Sequence, residues 1–389
     1  MIKNRNNKSK ALLLFLLLLT GVLSGCWDDE QPERMLYINA IGVDFKDGKY
    51  EVYAQFIGFG NIAKSDQPPG DEPQAEVGMA TGDTMDEAIY ELYHSIDQKV
   101  YWGHFSYIII SEEVMEKGKL NPVIDSFIRY RETRYQIWVY TTKDPVQEVL
   151  LVRPVINRAV TLSKLGDPKN SFRQESFINP LNIRKLIIHL NEPSHEALIP
   201  LIAVEENWRS SKEKIKAPIL AGVGSVTNKG YNGFIEKEHV RGIQWMSNEM
   251  ERGEVTFEAN GGDYLTVVID HLKVKTEPTV KAGQLRVDIE VRVNATLYLV
   301  EGNPTIFEIE EGIKKEIKKE ILDTYEVAME KGIDVYRFSE KLYRSDLKEW
   351  KQIQQGGKVE LTKDTIQKLT VKIEKLDSER KSFHETIEQ

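Results

Sequence analysis

Apolar residues recur along the chain with two periods, and the switches between them outline its elements. The clearest run is 285–299. Leu285, Val287, Ile289, Val291, Val293, Ala295, Leu297 and Leu299 alternate with Arg286, Asp288, Glu290, Arg292, Asn294, Thr296 and Tyr298. That is the period of a strand with one face buried and one wet. Its expected partner is 264–275, where the apolar phase slips from Leu265, Val267 and Ile269 to Leu272 and Val274, predicting a bulge near Asp270-His271. The helical period is as plain in 308–331. Ile309, Ile313, Ile317, Ile321 and Tyr325 stand four apart, Glu310–Lys314 and Glu311–Lys315 are favourably ordered surface pairs, and Gly332 is a natural terminator.

Upstream, Met35–Asp44 and Lys49–Phe59 read as strands about a turn at Asp47-Gly48, followed by a polar, Pro-rich loop at 64–74. Thr84 and Glu87 form a capping box that opens a helix to about Asp97. A strand over Val100–Ile110 follows, then a helix opened by Asn121-Pro122, a strand at Tyr135–Thr141 and a short helix from Asp144-Pro145. Asn179-Pro180 opens a helix through about Leu190, Leu198–Glu205 is a strand, and the charged stretch 206–216 reads as a linker. Beyond it come a hairpin (Ile219–Val226, Tyr231–Ile235) and a helix over 236–250 with Val240, Ile243, Met246 and Met250 on one side. Short helices at 334–353, a turn at Gly356-Gly357 and a last strand through Leu369, Val371 and Ile373 complete the chain. The fold class expected is α+β and multidomain, with mixed or antiparallel sheets faced by helices. An N-terminal α+β domain covers 35–205 and a C-terminal α+β region 217–389, with a further division near 255–265 and an antiparallel sheet in the second part.

The first 25 residues follow neither period. Lys3, Arg5, Lys8 and Lys10 precede an apolar stretch of 13 residues ending at Leu23. A bilayer-crossing helix needs about 20 apolar residues, so this stretch fits the core of a signal peptide. Leu23-Ser24-Gly25-Cys26 then has the form of a lipobox: Leu23, Ser24 and Gly25 seat the signal peptidase, and the Cys26 thiol carries diacylglycerol as a thioether. Cys26, also N-acylated, becomes the first residue of the mature chain, with 26–34 as a tether. Acyl chains contribute about 0.8 kcal/mol per buried methylene, and two of them anchor stably where one does not.

Composition sharpens this reading. The chain has 389 residues, 41% apolar and 29% charged, as a folded protein does. A single cysteine excludes an intrachain disulfide and a zinc site built on several thiolates. The net charge of −9 conceals an uneven distribution: four of the 52 basic residues and none of the 61 acids lie in 1–25, so the remainder carries −13. Such a body does not bind nucleic acid or anionic headgroups electrostatically. No G-x-S-x-G, Walker or G-x-G-x-x-G motif is present, and none of the seven histidines makes a metal-ligand spacing. His189 and His195 are separated by a helix end and Pro193, Gly103-His104-Phe105 reads as a strand start with a satisfied histidine, and Gly222-Val223-Gly224 lies within a hairpin strand. No two acids stand out as a catalytic pair. No catalytic residue, cofactor or metal ligand is assigned.

Several segments taken in order resemble the Ger(x)C family, the C subunit of bacterial spore germinant receptors. They are Cys26-Trp27-Asp28 at the lipobox, Ile41-Gly42-Val43-Asp44, the Gly48–Val52 strand, and Thr81-Gly82-Asp83-Thr84 leading into Glu87-Ala88-Ile89. They continue with Trp102-Gly103-His104 before Ile108-Ile109-Ile110, Phe127-Ile128-Arg129, and a C-terminal motif through Phe338, Tyr343-Arg344 and Trp350-Lys351. Two departures stand out. Asp29-Glu30-Gln31-Pro32 replaces the usual basic residue and Glu, and the family usually has Gly where Tyr336 and Ser339 stand. The resemblance implies a non-catalytic receptor component, lipid-anchored on the outer face of the inner spore membrane. It implies integral A and B subunits as partners and α+β domains usually counted as three. The nutrient is not named by it. The alternative is a solute-binding lipoprotein of an importer, which calls for two similar lobes and a deep cleft; a cell-wall hydrolase calls for paired carboxylates or a metal triad in one pocket.

Overall fold

The computed structural model describes residues 34–58, 75–129, 134–157, 159–210, 214–259, 264–298 and 304–378, with a few isolated positions besides. Leu23, Ser24, Gly25 and Cys26, nearly all of the tether, and the 64–74 loop lie outside the described residues.

The first sheet has nine strands. β1 (Met35–Lys46), β2 (Lys49–Ile57) and β3 (Glu76–Gly82) form an antiparallel meander. On the other side of β1 the pairing turns parallel, through β5 (Tyr107–Ser111), β6 (Trp138–Thr142) and β7 (Ala197–Arg209), while the short β4 (Lys99–Tyr101) also runs parallel to β1. β8 (Lys214–Thr227) and β9 (Gly230–Glu236) close the sheet as antiparallel neighbours of β7. Strands buried on both faces carry continuous apolar runs. Accordingly Ile108 and Ile110 enter one core, beneath α1 (Met85–Tyr93), α3 (Leu120–Arg129) and α6 (Ile183–Asn191), whereas Tyr107 and Ile109 enter the other, beneath α4 (Val146–Leu151). Gly42 lets α4 lie against β1: a Cβ there would stand 2.1 Å from Val146 Cγ1.

The second sheet has the order β10 (Gly253–Glu258), β11 (Tyr264–Lys281), β12 (Gln284–Leu297), β15 (Ile366–Ser378). Every second residue of β12 from Leu285 to Leu297 is buried, and the register of β11 slips between Ile269 and His271, as the alternation predicts. α7 (Ile306–Glu330) lays Ile309, Ile313, Ile317, Ile321 and Tyr325 on this core behind a complete Thr305–Glu308 capping box. It ends at Gly332, φ +68°, with Ile333 N–H donating to Ala328 O at 2.8 Å. α8 (Phe338–Ser345) and α9 (Leu347–Ile353) follow, then the two-residue strands β13 (Gln354–Gln355) and β14 (Lys358–Val359).

Several expectations are corrected. β15 runs parallel to β12, so the second sheet is mixed; the long helical crossover between them brings the chain back to the starting end. Residues 206–209 and 214–216, expected within a linker, are strand instead, with β7 and β8 paired out to Arg209↔Lys214. The 236–250 segment is a 3₁₀ helix over Lys237–Met246, entered through Lys237 at φ +58°; Gly242 N–H donates to Thr324 Oγ1 of α7 at 2.9 Å. The 100–110 strand is two strands around a buried Trp102–Phe105 pair. α1 stops at Tyr93, and Glu87 reaches back to the Asp83 amide rather than that of Thr84. Asn182, not Asn179, caps α6, since the Asn179 amide is engaged with Ser247. On α7, Glu311 pairs with Lys314, not Lys315. β3, α2 (Glu112–Glu116) and α5 (Pro168–Gln174) carry too weak a period to be foreseen.

Candidate functional site

The two sheets meet where the loop between α6 and β7 faces α8 and the β13–β14 turn. Pro193 and Ser194 turn the chain after α6, Ser194 at φ +60°, so His195 and Glu196 enter the interior just before β7 begins. The loop is pinned from the second sheet's side. Trp350 Nε1 donates to Ser194 Oγ at 2.8 Å, and that hydroxyl donates to Gly357 O at 2.7 Å.

Four acids converge there, all of them among residues the sequence leaves undistinguished. Glu196 is 2% exposed, accepts from Ser225 Oγ at 2.7 Å and is ion-paired with Lys358, which also donates to Gly332 O. Asp334, equally buried, accepts from the Phe338 and Ser339 amides at 2.8 and 2.7 Å and so caps α8. Burial and the nearby charge of Glu196 raise Asp334 to about 6. Glu340 Oε2 lies 2.8 Å from His195 Nδ1, while Arg344 joins Oε1 of Glu340 to Oε1 of Glu192. Burial works to raise the Glu340 carboxyl, but His195 and the Arg337 and Arg344 guanidiniums hold it below the usual carboxylate range.

The two histidines expected to be kept apart are brought together. Turning at Pro193 folds the chain back, and the rings of His189 and His195 stack with centroids 4.0 Å apart. Burial, then His195 and Arg337, push His189 down to about 3, so it is neutral. Both rings border a 160 Å³ cavity with Glu196 and Tyr336. Beside it a larger cleft of 670 Å³ opens between the sheets, lined by Tyr140, Phe172, Phe177, Arg241, Gln244 and Arg252 among others.

The remaining singled-out residues serve the framework. His104 packs edge-on against Tyr37, and Trp102 Nε1 donates to Tyr93 Oη at 3.1 Å. Gly222-Val223-Gly224 lies within β8. Neither Tyr336 nor Ser339, where the resemblance expects glycine, has a positive φ; the left-handed residue of that segment is Arg337, at φ +57°. Among the described residues no helix is long and apolar enough to cross a membrane.

Comparison with known proteins agrees along nearly the whole chain. Residues 28–204 match the family model for the spore germination protein N-terminal domain, and residues 222–375 match that for spore germination B3/GerAC like, C-terminal. Spore germination protein KC of Bacillus subtilis (strain 168) is 24% identical over 366 residues, covering 88% of this chain and 90% of its own. Spore germination protein B3 of the same organism is 23% identical over 296 residues, 74% of each chain. A crystal structure of the GerBC protein has a similar fold, with a TM-score of 0.53 at 15% identity over 87% of this chain and 97% of that one.

Proposed function

The chain belongs to the Ger(x)C family of spore germination proteins, and from that premise we propose that it is the lipid-anchored, non-catalytic C subunit of a germinant receptor. In this reading it assembles with integral A and B membrane subunits and takes part in nutrient-triggered germination. It sits on the outer face of the inner spore membrane, held through diacylated Cys26. The observation that carries the reading is the ordered match of both family models over 28–204 and 222–375. The lipobox residues Leu23, Ser24, Gly25 and Cys26, the −13 body and the lack of any catalytic motif support it.

The importer reading calls for two similar lobes. A cleft is present, but it lies between a nine-stranded and a four-stranded sheet of different topology, so the receptor reading is preferred.

Affinity isolation of the lipidated protein from spore membranes tests the assembly: A and B subunits should co-isolate, and their consistent absence would overturn it. Membrane fractionation tests the anchor. Cys26→Ser should move the protein out of the membrane fraction, and a variant retained as tightly as wild type would refute lipidation at Cys26.

A further inference from the structure

Glu192, His195 and Glu340 each offer one ligand atom, and the three atoms lie within 4.8 Å of one another. An ion held about 2 Å from each ligand needs them roughly 3–4 Å apart, so little movement would close them on it. Three features distinguish this cluster from a solvated group of acids. The His195 side chain is 2% exposed, and although its Nδ1 stands 2.8 Å from Glu340 Oε2, the contact lies outside the angular range of a hydrogen bond, leaving Nδ1 unpartnered. The ring plane is fixed by stacking on His189. Arg344 takes Oε1 of Glu192 and of Glu340, which orients both carboxylates and leaves the second oxygen of each for another ligand.

We propose that Glu192, His195 and Glu340 bind a divalent transition-metal ion, Zn²⁺ in the first instance, that clamps the α6–β7 loop to α8. An imidazole with two carboxylates suits Zn²⁺ rather than Ca²⁺ or Mg²⁺, which favour all-oxygen ligands. Both carboxylates bring negative charge to the ion; of the two nearby guanidiniums, Arg344 pairs with Glu192 and Glu340 through their other oxygens, and Arg337 acts on Glu340 through its charge alone. Glu192, with its side chain 22% exposed, gives the ion a way in from solvent. Glu192 and His195 belong to the loop feeding the first sheet and Glu340 to the helix behind the second. Metal bound here therefore ties the two sheets across their junction, independently of which receptor the protein serves.

The test is a calorimetric titration of the full-length chain in detergent with Zn²⁺ alone, paired with thermal unfolding. One saturable site per chain and a raised Tm are expected. Glu192→Gln, a change on a partly exposed loop, should weaken binding by roughly 100-fold or more, beyond the 10–100-fold typical of losing a residue that only supports a ligand, and leave the metal-free Tm unchanged. Glu340→Gln should do the same to binding. His271→Asn, on an exposed part of β11, should bind as wild type does. Absence of saturable binding up to about 1 mM, or binding undiminished in Glu192→Gln, would overturn the proposal; the latter would mark an adventitious ion held elsewhere.

Discussion

The two sheets bury themselves by different plans. The first is covered on both faces, with Ile108 and Ile110 under one helical layer and Tyr107 and Ile109 under the other. The second is covered on one face by α7. Its outer face carries ion pairs that run along β12 (Arg292–Glu290) and across to β15 (Arg292–Glu374 and Lys372–Glu290). A two-sided sheet can meet a partner only at its edges and ends, whereas a one-sided sheet offers a whole surface. Their cores nonetheless interlock: Ile178, Val223 and Ile235 of the first half pack into the cluster built on α7. The difference in plan therefore stops short of independence.

The strongest test of that interlock is Ile317→Ala. Ile317 is fully buried in the second half, and truncation should cost about 2–5 kcal/mol through lost burial and the cavity left behind. In denaturant unfolding, probes in either half should shift together to a lower midpoint. Two separate transitions, with the first sheet unmoved, would break the comparison by showing that the halves fold alone. Next in size is the junction ion pair. Lys358→Met leaves Glu196, 1% exposed at its side chain, without its cation, at a cost of about 3 kcal/mol. Lys372→Met removes a similar pair from the wet face of the second sheet and should leave the unfolding midpoint where it is. Equal losses from both would mean that burial at the junction is not what gives the pair its value.

The junction also makes stability depend on pH, with two opposed signs. Neutral, half-buried His189 titrates near 3 when folded, while the unfolded chain takes up this proton near 6.5, so stability falls as pH drops below that value. Asp334 acts the other way. Its folded carboxyl titrates near 6 against 3.8 when unfolded, so it withdraws stability as pH rises from 3.8 to 6. His189→Gln should remove the first effect and keep the second. From about pH 6.5 to about pH 5 the variant should lose about 1–2 kcal/mol less than wild type, allowing for the partial exposure of His189. Urea unfolding at the two pH values measures it; parallel losses in the two proteins would show that His189 is already protonated in the fold.

The second sheet and α7 were legible because a single buried face imposes one period on the residues, down to the extra residue at Asp270 in β11. The first sheet was legible only in outline. In strands buried on both faces, as at Ile108–Ile110, the alternation disappears, and β3, with Glu76, Gly78 and Met79, has too little of either pattern. The junction was not legible at all. Glu192, Glu196, Asp334 and Glu340 look like surface acids in a chain with 61 of them, and only the packing of one sheet against the other buries them. The stacking of His189 on His195 depends in the same way on the turn at Pro193 and Ser194, a tertiary constraint that spacing does not encode.

Arg337 sharpens the account of the junction at the smallest scale. Its φ of +57° and ψ of +42° place a side chain in the left-handed region as the residue preceding α8, which costs a non-glycine residue about 1 kcal/mol. Its backbone is held on both sides: its N–H donates to Asp334 O and its carbonyl accepts from the Lys341 amide, both at 3.0 Å. The same residue contributes to holding His189 neutral. Strain and charge can be separated by two substitutions. Arg337→Gly should relieve the strain, raising stability near neutral pH by about 0.5–1 kcal/mol, and should also soften the acid-side loss because a positive charge near His189 is gone. Arg337→Ala should soften the acid loss equally while gaining no stability near neutral pH. If the alanine variant matched glycine at neutral pH, the gain would come from removing charge, and the left-handed backbone would be bearing no strain.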